Sequence, residues 1–412
     1  MEIRPIISQL LRSKTAALLI AIQVALSIAI LANALYIVNL RYASSSRPSG
    51  IANENEVFTP TARSVKRPTH NEAMAQQQRD VEALRALPGV VAATWTSQMP
   101  MSRSGSTSSF SLDRKQTRQS IDLSTFFAPP GFIDTLGLRL IEGRDLTAED
   151  MVEFDDEKDS PTKKFAKVAI ITKDAADVLY PGTSAVGKTL YYGIGDDAWE
   201  MRVIGVVERL QSVIAQTGPK AEYSAIIPLL IDLTYPKYAV RAAPGQRDRL
   251  MTDAEAALRN ASLTPRLIFV RSSEEDRNNR YRNERALAWM LIAVSALLLL
   301  VTASGIVGMT TLRVAQRRKQ IGVRRALGAR RIDILRYFIT ENIVITTGGI
   351  FAGVVLAVLL NQVLVSQLEL PKLPIVYLAI GMGVLWLLGI AAVYGPAWRA
   401  ASIPPATATR SV

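Results

Sequence analysis

RVAQRRKQIGVRRALGARRIDILRYFITE, residues Arg313 to Glu341, is the most basic part of the chain and lies between two long apolar segments. Arg313, Arg317, Arg318, Lys319, Arg324, Arg325, Arg330, Arg331 and Arg336 face only Asp333 and Glu341 as counter-charges. Carrying that much positive charge across a bilayer is unfavourable, so the segment is expected to stay on the cytoplasmic side. Ile321, Val323, Leu327, Ile332, Ile334, Leu335, Phe338 and Ile339 recur among the cations at helical spacing, with Gly322 and Gly328 as breaks. Two readings stay open at this point. The segment is either a short amphipathic helix that docks on a partner at the membrane surface, or a positive-inside anchor among anionic headgroups.

Working outward, Ala286–Leu312 precedes this segment, Asn342–Leu368 follows it, and Leu373–Trp398 comes next. Each is free of charge and long enough for a membrane helix. A tight external turn holding Glu369, Pro371, Lys372 and Pro374 joins the last two. Near the start, Thr15–Leu40 is a fourth such run, of about 26 residues, with Tyr36 its one ionisable group. The lead Met1–Lys14 carries Arg4, Arg12 and Lys14, as a signal peptide would. The run is about twice a normal signal-peptide core and no small-x-small cleavage site follows, so an uncleaved anchor with its N-terminus inside is expected. Ala17, Ala21, Ala25 and Ala29 repeat every fourth residue, a stripe on which another helix can pack closely. Gly305 and Gly308, and Gly349 and Gly353, offer matching close-packing points. Counting spans then places both termini inside and one large domain outside, and Arg399 and Arg410 after the last span agree.

The composition fits this layout. Hydrophobic residues make up 49% of 412, while charged residues make up 20%, and the two figures are compatible if the apolar residues are concentrated in spans. The net charge of +12 raises a nucleic-acid reading, but the cations cluster beside apolar spans and no aromatic–basic surface accompanies them. The absence of cysteine excludes disulfides and thiolate metal sites. The single histidine, His70, has no neighbouring ligands in sequence and reads as solvated.

Arg41–Arg285 is an insertion long enough for a domain or two. A Ser/Pro/Asn-rich linker runs to about Thr69. Asn71–Leu87 then reads as a helix and Val90–Thr96 as a strand. At the far end, strand Tyr238–Ala242, helix Asp248–Asn260 and strand Arg266–Arg271 form a matching unit. Such bracketing units predict a split α+β subdomain interrupted by an insertion at about 100–235. The acidic patch Glu153, Asp155, Asp156, Glu157 and Asp159 lacks the alternating ligands and turn glycine of a calcium loop, and reads as solvated.

Gly182-Thr-Ser-Ala-Val-Gly187-Lys188-Thr189 satisfies the phosphate-loop pattern, which needs a strand before it and a helix after it. The Leu190–Gly193 continuation favours strand or turn instead, so no nucleotide site is expected here. No nucleophile elbow or zinc-protease motif is present either, and no catalytic, cofactor or metal site is expected. The four spans contain no Asp, Glu, Lys, Arg or His. Ion-coupled transporters usually keep such groups at mid-membrane. Apolar helices of this kind are better suited to transmitting motion than to passing a substrate.

The run QIGVRRALGA (Gln320–Ala329) with Glu341, and the tail PAWRAASIPPATATR (Pro396–Arg410), resemble the signatures of MacB/FtsX-type ABC permeases. Gln320 stands where that family usually has Glu, and Thr409 where it usually has Leu. The order GFIDTLGLRLIEGRDLTAED (Gly131–Asp150), VAIITKDAADVLYP, AVGKTL and VIGVV (Val203–Val207) resembles the family's periplasmic core domain. The resemblance implies a polytopic membrane protein with four transmembrane α-helices and a large extracytoplasmic α+β domain inserted between helices 1 and 2. The domains are then 1–40, 41–285 and 286–412, the last holding a cytoplasmic coupling loop at 313–341. Gln320, Ile321, Gly322, Val323, Arg324, Arg325, Leu327, Gly328 and Glu341 are implied to seat on a separate cytoplasmic ATPase that binds ATP and magnesium. A second permease chain is implied as well, with a periplasmic adaptor and outer-membrane channel among the further partners. The implied work is export from a bacterial inner membrane, with lipoprotein release or regulation of cell-wall hydrolases as the alternatives.

Overall fold

The computed structural model describes residues 14–402, except 116–119, 156, 161–162, 194, 196–197, 214–218 and 369–370. Most of the N-terminal lead, Asp156, Glu369, Thr409 and Arg410 lie outside the described residues. The chain divides into two compact units, Met1–Ala43 with Glu284–Val412, and Ser44–Asn283.

The first unit is helical. It takes in most of α1 (Lys14–Ser45), and the other helices come late in the chain. Within the second unit, β1 (Val57–Ser64), α2 (His70–Arg85) and β2 (Val90–Thr96) come first. After them come β3 (Thr107–Ser111), β4 (Ile121–Phe127), α3 (Phe132–Leu136), β5 (Leu140–Gly143) and β6 (Val152–Phe154). Next are β7 (Val168–Thr172), α4 (Lys173–Leu179), β8 (Thr189–Tyr192), β9 (Trp199–Val207), β10 (Ser224–Ile227) and β11 (Leu229–Ile231). The unit ends with β12 (Lys237–Ala242), α5 (Arg247–Asn260) and β13 (Arg266–Ser272). The helices α6 (Ser273–Gln316), α7 (Arg318–Ala326), α8 (Arg331–Leu368) and α9 (Ile375–Ala401) complete the chain.

β1-α2-β2 and β12-α5-β13 build one antiparallel sheet in the order β13-β1-β12-β2. This is the split βαβ arrangement, and its halves are separated by everything from β3 to β11. α2 begins at a capping box in which Thr69 and Glu72 satisfy each other's backbone amides. Val81 and Leu84 from α2 and Leu250, Ala254 and Leu258 from α5 bury themselves against Phe58, Trp95, Tyr238 and Val240 of the sheet. β1 was hidden in the expected linker. Pro60 argues against a central strand because it lacks an amide hydrogen, yet β1 pairs on both sides. Its ladder to β12 is registered at Val57, Phe58 and Thr61, passing over Pro60.

The interrupting strands form a second sheet, β5-β9-β7-β10-β4-β3-β8, in which β8 also pairs with β9. The ring therefore closes and leaves β5 outside it, paired to β9 alone, so the closed strands have no open edge and β5 is the remaining one. Phe110, Leu123, Leu190, Met201 and Ala225 fill its interior. A second core, including Phe126, Phe132, Leu136 and Ile226, also takes in Val57 and Ala239 of the split sheet. The acidic loop is internally pinned: Lys158 Nζ reaches Asp155 at 2.8 Å and Lys164 Nζ reaches Asp159 at 2.8 Å. His70 corrects a sequence expectation. Its side chain is only 9% exposed, with Nε2 3.0 Å from Glu153 and Nδ1 4.0 Å from Asp232, because the first turn of α2 carries it against β6 and the residue that follows β11.

Lys237 is a buried lysine of the split sheet. Its Nζ donates to the Ser104 carbonyl at 2.8 Å, and burial, with Arg271 nearby, pushes its pKa down to about 8. Between about pH 8 and the ordinary lysine value the unfolded chain binds more protons than the folded one. Stability contributed at this site therefore rises with pH through that window, by at most about 1.4 kcal/mol per pH unit. The stability difference between Lys237→Met and the unaltered chain, followed by chemical unfolding, is expected to change in favour of the lysine from pH 8 to pH 10. A difference independent of pH would refute the buried-cation account.

Candidate coupling surface

Among the described residues, four helices are long and apolar enough to cross a membrane: Ala17–Ser45, Ser273–Gln316, Arg331–Gln367 and Ile375–Ala401. Two of them begin well before the expected spans. α6 starts at Ser273 rather than Ala286, and α8 starts at Arg331 rather than Asn342. Polar residues continue a helix readily when one face stays apolar, so apolarity marks the spans but not the helix ends. The expected loop 313–341 is accordingly reduced to a short helix and its two turns.

Close approach holds the helical unit together. A Cβ added at Gly353 would lie 2.1 Å from Ile28 Cγ2 and 2.6 Å from the Ala25 carbonyl oxygen. At Gly349 it would meet the Ala21 carbonyl oxygen at 2.7 Å, and at Gly305 the Gln23 amide at 2.5 Å. Gly308 has nothing within 4 Å of such an atom. Ala25 and Ala29 are buried, while Ala17 and Ala21 pack at the edge of the core. Without a hydrophobic drive inside lipid, such small-residue contacts and hydrogen bonds carry helix association. Ser27 Oγ lies 2.7 Å from Thr302 Oγ1, and Asn33 Nδ2 donates to the Ala357 carbonyl at 3.1 Å.

α7 is fixed at its end by a left-handed glycine. Gly328 has φ +96°; its amide donates to Arg325 O at 3.2 Å, and that of Ala329 to Arg324 O at 3.0 Å. These are the two bonds of a Schellman cap. Asp333 then accepts from the Arg330 amide at 2.9 Å as α8 begins. The helix is two-sided. Ile321 and Gly322 are buried, Ile321 in a core with Phe338, Ile334 and Leu335. Val323 is 46% and Leu327 83% exposed, among the exposed Arg318, Lys319, Gln320 and Arg324, with Arg325 half-buried.

Glu341 belongs to the interior. It is 2% exposed, with Oε2 3.1 Å from Arg317 and Oε1 3.6 Å from Arg313. Arg317 also donates to Tyr337 Oη at 3.0 Å, and Arg324 stacks over the same ring. Of the residues expected to seat on a partner, the structure therefore brings Gln320, Val323, Arg324, Leu327 and Gly328 to the surface, with Arg325 at its margin. Ile321, Gly322 and Glu341 are withdrawn into the helical unit. Arg313 and Arg317, counted as surface charge from sequence, are drawn in with them. Their spacing of four places both on one helix face, and a lone glutamate downstream was the available signal.

Pro396–Ser402 closes α9, with Ala397, Ala400 and Ala401 in the same core as Ile321. The phosphate-loop pattern has the reverse context of a nucleotide site: helix α4 precedes it and strand β8 follows. Its Gly187 amide donates to the Val203 carbonyl at 2.8 Å.

Residues 16–279 match the MacB-like periplasmic core domain family, and residues 292–405 match the FtsX-like permease C-terminal family. The chain belongs to the MacB/FtsX-type ABC transporter permease family. Among relatives of this permease is the pyoverdine export ATP-binding/permease protein PvdT of Pseudomonas fluorescens, 29% identical over 46% of this chain and 29% of that one. The macrolide export ATP-binding/permease protein MacB of Bradyrhizobium diazoefficiens is 28% identical over 52% of this chain and 35% of that one. The permease thus spans about a third of the length of the curated relatives it matches. Among solved structures it is similar to the periplasmic region of MacB from Actinobacillus actinomycetemcomitans. The TM-score there is 0.34 at 13% identity, covering 56% of this chain and 94% of that one. It is a multi-pass membrane protein.

Proposed function

We propose that this permease couples ATP hydrolysis by a cytoplasmic ABC ATPase to movement of its sheet-rich domain outside the membrane, in export of a periplasmic or membrane-derived substrate. The sheet-rich domain is the insertion between the first and second spans, and the basic segment faces the cytoplasm of a bacterial inner-membrane protein. Two permease chains act together, and ATP and magnesium are held by the ATPase. The similarity to export proteins for pyoverdine and macrolides supports the transport class.

One observation carries the coupling reading: α7 presents Val323 and Leu327 to solvent within a ring of cations while its opposite face is locked into the helical unit. Exposed apolar groups with a polar rim mark interaction sites. Their inner attachment gives a push on Leu327 a path to α6 and α8. Leu327→Asp would place an unpaired charge in the docked contact, at a cost of several kcal/mol, and the ATPase is expected to be lost on co-purification. Neutralising Arg318 at the rim should cost about 1 kcal/mol or less. Retention of the ATPase by Leu327→Asp, with normal ATP-dependent transport, would leave only the headgroup-anchor reading. Co-purifying adaptor supports efflux, whereas co-purifying lipoprotein supports release.

Orientation has its own check. Cysteines introduced at Ser160 and Ser402 should be labelled in intact cells by an impermeant thiol reagent only at Ser160. Labelling of Ser402 from outside overturns the topology.

A further inference from the structure

A cavity of about 740 Å³ opens in the sheet-rich unit, where the end of β1, the first half of α2 and the loop between α5 and β13 meet. That volume falls in the range of about 300–1,000 Å³ typical of small-molecule sites. Its lining is of three kinds. Arg63, Lys66, Arg67 and Arg79 stand around it with Glu72 as the one acidic residue of the lining. Leu263 is fully exposed and Val65 is 72% exposed, both on its wall. Two buried polar groups complete it, Gln77 and Arg266.

The cations are incompletely neutralised. Arg67 pairs with Glu157 at 3.6 Å, and Arg63 sits over the Tyr235 ring, 5.0 Å from its centroid. Among the described residues neither Arg63 nor Lys66 has a carboxylate in ion-pair contact. The Arg266 guanidinium holds Asp80 through both terminal nitrogens, yet its Nε has no hydrogen-bond partner. Gln77 Nε2 donates to the Ile231 carbonyl at 3.1 Å while its Oε1 is without a partner. Both of these atoms are shut off from solvent, so the open surface of the cavity is set by its cations and its apolar residues. Like charges gathered around a concave, partly apolar surface focus a field that draws in anions.

We propose that this cavity is a binding site for an organic anion with an apolar or aromatic body. The carboxylate, sulfonate or phosphate group lies toward Arg63 and Lys66, and the body lies against Leu263 and Val65. The chemistry is shared by a soluble amphipathic acid and by a single-chain acidic lipid drawn from the bilayer. The site needs no ATP and no ATPase, so its failure would leave the coupling reading untouched.

The test uses the full chain in phosphatidylcholine nanodiscs, with fluorescence titration of anthracene-9-carboxylate and empty nanodiscs subtracted. Saturable binding at one site per chain is expected. Arg63→Gln with Lys66→Gln should weaken it by about tenfold or more, the loss of about one good charge contact. Leu263→Asp should weaken it similarly, whereas Arg318→Gln, the same charge change far along the chain, should leave it unchanged. The neutral anthracene-9-carboxamide should bind about tenfold more weakly than the acid. Equal binding of acid and amide, unchanged binding in the double variant, or full displacement by millimolar inorganic phosphate overturns the proposal. Displacement by lysophosphatidate assigns the bilayer as the source. Indifference to it, with displacement by naphthalene-2-sulfonate, assigns a soluble acid.

Discussion

Asp80→Ala is expected to destabilise the sheet-rich unit by about 3–5 kcal/mol, the range for removing one partner of a buried ion pair. Asp80 is fully buried and the Arg266 side chain is 3% exposed. The guanidinium meets both carboxylate oxygens, at 2.5 and 3.0 Å. Gln76 Nε2 adds a bond at 2.8 Å and Tyr238 Oη one at 2.5 Å. Burial, with the carboxylate beside it, holds the Tyr238 phenol well above its usual pKa, so it stays protonated and donates. One carboxylate therefore ties α2 to β12 and β13, the two halves of the split sheet that the barrel separates in sequence. Alanine leaves a guanidinium in the core with the Leu258 carbonyl as its hydrogen-bond partner among the described residues.

The measurement is urea unfolding of the full chain, with hydrogen exchange reporting β13 separately from the helical unit. Amides of β13 should lose protection while those of α8 keep theirs. Asp80→Leu combined with Arg266→Met should recover most of the loss, because apolar replacement of a buried pair is often neutral or better. A loss below about 1 kcal/mol in Asp80→Ala would place this pair with exposed ones, which contribute little.

Legibility in the sequence followed physical signal strength. The helix–strand units around Val81, Leu84 and Leu250 were readable because period and breakers agreed, with Pro88-Gly89 ending the first helix. The symmetry of the two ends predicts a split α+β subdomain, while the single sheet that their strands share comes from the structure. The closed barrel was not, since strands as short as β8 and β10 carry little periodicity and their pairings are long-range. β1 failed for a local reason, a proline in a central strand.

For the basic segment the sequence predicts a helix with breaks at Gly322 and Gly328. The structure breaks it at Gly328 alone of the two, because Gly328 has a left-handed backbone while Gly322 lies buried inside α7. Residue type does not sort the faces of this helix. Apolar type groups Ile321 with Leu327, although a separation of six residues leaves them roughly 120° apart around a helix. In the structure they point to opposite environments, 5% and 83% exposed. The inner face is defined by Phe338 and Leu335, which come from the start of α8, and no window on α7 alone contains that information.

Glu341→Ala is expected to cost the helical unit about 3–5 kcal/mol, and to do so without removing any exposed docking group. The side chains of Arg313, Arg317 and Glu341 are 10%, 14% and 3% exposed. Arg313 Nε and Nη2 have no hydrogen-bond partner, so Glu341 is what compensates that guanidinium. The pair joins the end of α6 to the start of α8, with α7 carried between them. If Glu341 instead met a partner directly, its loss would weaken co-purification of the ATPase and leave thermal unfolding of the isolated chain in detergent unchanged. The buried triad predicts the other order: the unfolding midpoint falls first, in the absence of any partner. Leu327→Asp should show the converse, normal unfolding with lost ATPase. A triple replacement, Arg313→Met, Arg317→Met and Glu341→Leu, removes the charges together and should restore the midpoint. Failure of that rescue, with the midpoint of Glu341→Ala already normal, would return Glu341 to the docking surface.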